Sequence, residues 1–438
     1  MKQQLLLLAV LFLFSCNTRK NEDTGNKQLN VLAEKYVRLG LSIGQYDPDF
    51  VDAYYGPDSL KPTAGRQSTF PKDNFLGAVD SLKASLQQLS TETKDDTVRI
   101  RSQWIMRQLT AFSRRIKIFS GEYSDFDKES KELFDVVAPT YPEKYYQSLV
   151  AKLDSLLPGK SAVQDRFQQL ANRFIIPKDK LDTVFKTAIA AARKRTLQHY
   201  ALPATESFTL EYVSGKPWMG YNWYKGNYVS LIQISADLNI FIEKAIDLAC
   251  HEGYPGHHVY NMLLEKNLYH DKGWVEISLY PLFSPQSLIA EGSANYGIEI
   301  AFPGTEKNTF TKNILLPLAG LDTTGIDTYF KALDIKGQLN YARNEVGRGL
   351  LNGSMSDSAA TQWLLNYTLL NQEAAAKGLL FIKKNRSYVI NYNYGLDLIK
   401  NYISADAHET QPDKRWESFG HLLSNEITPT DLIQGGKP

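Results

Sequence analysis

Residues 249–260 read ACHEGYPGHHVY and place His251, Glu252, His257 and His258 within eight positions. In a helical His-Glu-x-x-His pattern both imidazoles project from one face to hold a metal ion, and the glutamate takes a proton from water. His251 and Glu252 fill the first two places, but Pro255 stands in the fifth. On an ideal helix His258 would share the face of His251 at a rise of about 10 Å, while His257 would point roughly 120° away. Pro255 cannot donate to the carbonyl of His251 and its ring clashes there; Gly256 admits unusual dihedrals beside it. Together they predict a bulge or break that turns His257 onto the metal face, leaving His258 to support the site or contact substrate. A plain helix break with polar residues facing solvent fits the same letters, so spacing alone leaves metal binding open.

A third ligand must come from another element. LIAEGSANYGIEI, residues 288–300, offers Glu291 and Glu299. Glu291 lies at the start of an apolar helix pattern, and its small neighbours Gly292, Ser293 and Ala294 would let another backbone approach closely. A carboxylate in such a setting needs a partner. A metal ion would supply one, giving a His2Glu site with a position open to water. The helix dipole could equally satisfy Glu291. Cys250 adjoins His251, but neighbouring helix positions diverge by about 100°, so it reads as a packed thiol.

These residues need elements to position them, and the pattern is mostly helical. Apolar spacing predicts helices over 29–41, 74–88, 91–119, 125–134, 143–157, 161–174 and 178–200, an antiparallel helical front half. The stretch 207–235 is rich in Tyr, Val and Thr with Gly-bearing turns and predicts two or three short strands. Tyr221, Trp223, Tyr224 and Tyr228 line a substrate cleft or join the core. Helical pattern resumes at Asp237, with helices over 287–300 and 356–383. The 51–57 stretch reads as part of a turn-like segment, and the tail beyond Leu423 as loose.

The whole chain sets the class. Its 438 residues are 43% hydrophobic, ample for a large core. A net charge of +1 gives no basic excess for nucleic acid. Lys2 and the apolar run 5–14 form a signal peptide, and Leu13-Phe14-Ser15-Cys16 resembles a bacterial lipobox. That resemblance implies cleavage before Cys16 and its lipidation, such as by palmitate. Asn17 points to the outer membrane, facing the periplasm or exterior. With Cys16 lipidated, Cys250 is a free thiol and no internal disulfide forms. The expected organisation is a signal peptide over 1–15, a polar tether over 16–27 and a helical region over 28–206. A strand-containing catalytic region with C-terminal helices follows over 207–423, then a tail over 424–438.

HEGYPGHH, with AEGSANYG downstream, VDAYYGP at 51–57 and YNYG near the C-terminus, resembles the DUF885 family of bacterial proteins similar to gluzincin-type zinc peptidases. The resemblance covers most of the mature chain. It implies a mainly α fold with a small β-sheet, a zincin-like architecture with antiparallel helices around a central cleft. It implies one zinc ion held by His251, His257 and Glu291, with Glu252 as base. Ser293 replaces the usual Trp, and no histidine lies between His270 and His408, where many relatives carry one after an Arg and an acidic residue. Arg343 and Glu345 stand in that region, and Tyr392 and Gly395 match the family's Tyr-x-x-Gly helix. Tyr392, Arg343 and His258 are the candidate oxyanion donors. The expected function is zinc-dependent hydrolysis of a peptide. The alternatives are hydrolysis of a small non-peptide amide and peptide capture by a catalytically impaired, lipid-anchored protein.

Overall fold

The computed structural model of the protein describes residues 25–216 and 218–435. The signal segment, Cys16 and the tether as far as Thr24 lie outside them. Among the described residues no helix is long and apolar enough to cross a membrane.

The chain is mainly helical. A helix over 25–44 already includes Gly25, Asn26 and Lys27, which composition assigns to the tether. Lys72–Glu92 and Asp96–Phe119 are separate helices, because Asp95 caps the second by accepting from the Thr97 and Val98 amides. Phe126–Phe134, Glu143–Leu156, Val163–Asn172 and Leu181–Thr196 complete the front half. Each buries a stripe at helical spacing, as Tyr146, Leu149 and Leu153 do in Glu143–Leu156.

Five strands interrupt the helices among the described residues: β1 (Val51–Tyr54), β2 (Ser207–Val213), β3 (Gly220–Gly226), β4 (Val229–Ser235) and β5 (Leu279–Pro281). The expected strand region forms a sheet of order β2-β4-β3, with β2 parallel and β3 antiparallel to β4. Thus β3 is an edge strand. The segment read as turn-like holds a strand instead: β1 pairs antiparallel with β5, Val51 opposite Pro281 and Tyr54 opposite Leu279.

Two expectations near the C-terminus also change. The helix expected over 356–383 is two, Asp357–Thr368 and Gln372–Asn385. Leu369 between them has left-handed backbone (φ 53°), and Asn371 caps the second helix by accepting from the Ala374 amide at 2.8 Å. As far as Gly435 the tail is ordered by a capping box of Thr428 and Asp431 that starts the helix Pro429–Gln434, with Leu432 buried.

A hydrophobic core cluster extends from Leu29 to Leu432. Near its centre the helices Pro285–Ala301 and Ile390–Asp406 pack backbone to backbone. A Cβ on Gly292 would lie 2.5 Å from the carbonyl carbon of Gly395. The close approach expected around Glu291 is therefore made; Gly292 requires glycine, and a Cβ on Gly395 would press on the Leu288 carbonyl at 3.0 Å.

Candidate metal centre and its pocket

The helix Glu243–Leu248 widens into a π-helical turn, Ala249–Gly253, which carries His251 and Glu252. The Tyr254 amide donates to the Ala249 carbonyl at 3.0 Å, and the Gly256 amide reaches back to Cys250 at 2.9 Å. Pro255, whose peptide bond to Tyr254 is cis, has no amide hydrogen to contribute. A Cβ on Gly256 would lie 2.0 Å from the His251 carbonyl oxygen, so this return path needs glycine. A new helix, His257–Leu264, then begins. The break is the one that Pro-Gly predicts, and it brings His257 to His251.

Their Nε2 atoms are 3.2 Å apart. Glu291, on the Pro285–Ala301 helix, places Oε2 3.4 Å from His251 Nε2 and 3.9 Å from His257 Nε2. Donors on a tetrahedral zinc, at bond lengths of roughly 2.0–2.1 Å, stand about 3.3 Å apart. The three side chains can hold a metal ion. The surroundings fit that use. Glu291 Oε2 is buried and outside hydrogen-bond geometry to any donor among the described residues, whereas Oε1 accepts from the Tyr388 hydroxyl at 3.0 Å. Asn295 sits one turn beyond Glu291. Its Nδ2 donates to the Tyr392 carbonyl at 3.0 Å, which turns Oδ1 toward His251 Nδ1 at 3.1 Å. His251 must then donate from Nδ1, leaving Nε2 as the ligand atom.

Charge reinforces this geometry. Burial opposes protonation of His251, but the Glu291 carboxylate and the Glu252 charge outweigh it and raise the imidazole to about 9. Burial and the His251 charge hold His257 down at about 4. With protein charges alone, one ring therefore carries the extra proton that the other accepts across the 3.2 Å contact. Burial, aided by Glu291 and Asp52 and opposed by His251, pushes Glu252 up to about 7. Burial also pushes Asp52 up to about 6, against a hydrogen bond from Tyr221 and with help from Glu291. Carboxylate charge thus raises His251 against burial and adds to the burial that raises Glu252 and Asp52, whereas His257 is kept neutral. A divalent cation there would displace the His251 proton and favour ionised carboxylates.

The donors line a cavity of about 680 Å³ together with Glu252, Asp52, Tyr388 and Tyr392. Tyr221 and Trp223 of β3 line it too, while Tyr224 is buried with its hydroxyl on Glu265 and Tyr228 packs on His270. Asn222 Nδ2 donates to the Glu252 carbonyl at 2.6 Å and pins β3 to the widened turn. Cys250 is a buried thiol, pushed up by burial, and is not in the donor cluster. Glu299 pairs instead with Lys400 at 2.7 Å. Ser293 is buried, with its hydroxyl on the Ala290 carbonyl.

Two candidate residues sit elsewhere. His258 is fully buried on the far side of its helix, its Nε2 3.0 Å from Glu206 Oε2 and its Nδ1 2.8 Å from the Ser230 hydroxyl. Turning His257 inward necessarily turns its neighbour away, by about 100°. Arg343 lines a different cavity, next to Tyr392 but outside the wall shared by the metal donors.

Sequence reasoning did not find Asn295, Tyr388, Asp52, Asn222 or Glu206. Helical spacing offered the first two, Asn295 four places after Glu291 and Tyr388 four before Tyr392. Glu206 accepts from the Tyr254 hydroxyl at 2.6 Å and from Arg193 Nε at 3.0 Å, besides its contact with His258. No signal in the letters connects it to the break that it holds.

No family model and no curated protein matches the sequence. Among solved structures, a candidate lipoprotein from Colwellia psychrerythraea is similar, with a TM-score of 0.51 and 14% identity over 82% of this chain and 65% of that one. The chain thus spans less than two thirds of that relative's length, and the likeness is one of fold. An M32 carboxypeptidase from Deinococcus radiodurans R1 gives a TM-score of 0.46 and 12% identity over 94% of this chain and 95% of that one. A candidate lipoprotein of unknown function from Shewanella oneidensis gives 0.47 and 11% over 82% and 72%.

Proposed function

We propose that the chain is a zinc-dependent hydrolase of peptide amide bonds, distantly related to the DUF885 proteins. The observation that carries this reading is the convergence of His251, His257 and Glu291 beside Glu252 in the wall of one cavity. Two imidazoles and a carboxylate suit zinc and leave a position open. A zinc ion held there supplies Lewis acidity, polarising a carbonyl and lowering the pKa of water. Glu252 takes the proton from the attacking water and passes it to the departing amine. Tyr392 lines the same cavity with a hydroxyl that burial keeps protonated, a donor for the developing oxyanion. The edge strand β3, which lines the cavity with Tyr221 and Trp223, suits an extended peptide bound by backbone hydrogen bonds.

Metal analysis of the purified protein is expected to show one zinc per chain, and a cleavage panel is expected to show faster hydrolysis of oligopeptides than of non-peptide amides. The reverse preference would keep the hydrolase and remove the peptidase. Zinc and peptide binding without cleavage would favour a binding protein. One observation favours that second reading: among the described residues, the cavity offers no histidine beyond the two ligands.

The lipobox-like residues Leu13 to Cys16 support a lipid anchor on Cys16 and work at the outer membrane. Intact-mass analysis of the native protein should show the lipid adduct, and an unmodified mature N-terminus would remove the anchor.

A further inference from the structure

A second cavity, of about 1000 Å³, lies across the start of β3 from the first: Met219 lines it, whereas Trp218 and Gly220 line the metal pocket. Its wall combines aromatic rings with many charges, and nearly all the acids there are matched. Asp247 is held by Lys244 at 3.0 Å and by Lys307. Asp327 is held by Lys312 at 2.7 Å and Asn308 at 2.8 Å. Glu243 accepts from the Tyr329 hydroxyl at 3.0 Å. Asp334 is exposed, and the cations acting on it are Lys307 and Lys400.

Two cations of this wall are not matched. Arg343 Nε is buried without a partner, and no carboxylate among the described residues pairs with its guanidinium. Lys336 lies 4.4 Å over the Phe167 ring and likewise has no carboxylate within ion-pair distance among the described residues. Burial and the charges of Lys244 and Arg343, against Glu243, hold its ammonium down at about 8. The two half-buried like charges repel each other, and each loses part of its hydration without a carboxylate to pair with. An anion within reach of both removes the two penalties together.

We propose that this cavity binds a small organic carboxylate whose head takes Arg343 and Lys336 and whose apolar body packs on Phe167, Phe241 and Phe330. A guanidinium is the cation best shaped for a carboxylate, because it can present two parallel N–H groups. The rings account for the second half of the ligand, since an inorganic anion would leave them unused. The proposal does not depend on the metal reading, because no metal donor lines this cavity.

Calorimetric titration of the full chain with 3-phenylpropionate, acetate and inorganic phosphate tests it. Phenylpropionate is expected to bind saturably at one site, with acetate and phosphate weaker by about tenfold or more. Binding is expected to survive chelation, which separates it from any carboxylate binding at the metal centre. Arg343→Gln and Lys336→Gln should each weaken it by about tenfold or more, with metal content unchanged and an unliganded Tm no lower than the wild type's. Should Arg343→Gln fail to fold, Lys336→Gln carries the same test. Absence of saturable binding, equal binding by the variants, loss of binding on chelation, or phosphate binding as tightly as phenylpropionate would each overturn the proposal.

Discussion

His257 and His258 are neighbours with opposite duties. His257 presents Nε2 to His251 and Glu291, while His258 ties its helix to Glu206 and to Ser230 of β4. His257→Ala is predicted to empty the metal site with the fold retained. His258→Ala is predicted to keep close to one zinc per chain but to lose about 1–3 kcal/mol of stability, because it strands buried polar partners. Metal analysis and urea unfolding of both variants check this; an empty site in the His258 variant alone would reverse the assignment. The convergence of His251, His257 and Glu291 was legible because Pro-Gly inside a His/Glu cluster changes which residues share a face. Asn295 and Tyr388 were not singled out, because amides and phenols are ordinary helix residues and one sequence does not mark the face that meets the metal.

Three elements make the site: the widened turn with its break, the Pro285–Ala301 helix and the edge strand β3. The break is held from outside by Glu206, which accepts from Tyr254, His258 and Arg193. Burial works against its charge, but those hydrogen bonds outweigh burial and hold the carboxyl at about 2. A depressed carboxyl stabilises the fold above its unfolded pKa, and that contribution is lost as pH falls from the ordinary carboxylate range near 4.5 toward 2. Glu206→Gln is therefore predicted to be less stable near neutral pH by about 1–3 kcal/mol, with the gap narrowing through this acid window. Urea midpoints of both proteins at several pH values measure it; a gap independent of pH would remove Glu206 as the clamp. Tyr, Val and Thr alternation made the sheet legible. The β1–β5 pair was hidden because it joins two short segments more than two hundred residues apart, and neither shows a strand period by itself. The break at Leu369 was hidden because apolar spacing continues across it.

Across the whole molecule, the candidate metal donors come from two separate stretches. The Pro285–Ala301 helix with Glu291 packs against Ile390–Asp406 through Gly292 and Gly395, and all of it belongs to the core cluster that extends from Leu29 to Leu432. A metal ion bound to this arrangement and not to the unfolded chain adds stability by mass action, about 2.7 kcal/mol at a free concentration 100 times Kd. Chelation is predicted to lower Tm by several degrees, on the order set by that free energy, and added zinc to restore it. A Tm indifferent to both would argue against a metal that joins these elements. In the proposed function Glu252 does chemistry at a centre whose metal it does not hold. That role is tested most directly by kcat/KM of zinc-loaded wild type and Glu252→Gln on one cleaved peptide, with zinc content measured on the same samples. Equal zinc content and a loss of hydrolysis of at least ~100-fold are predicted for the variant; equal hydrolysis by the two proteins would contradict the account.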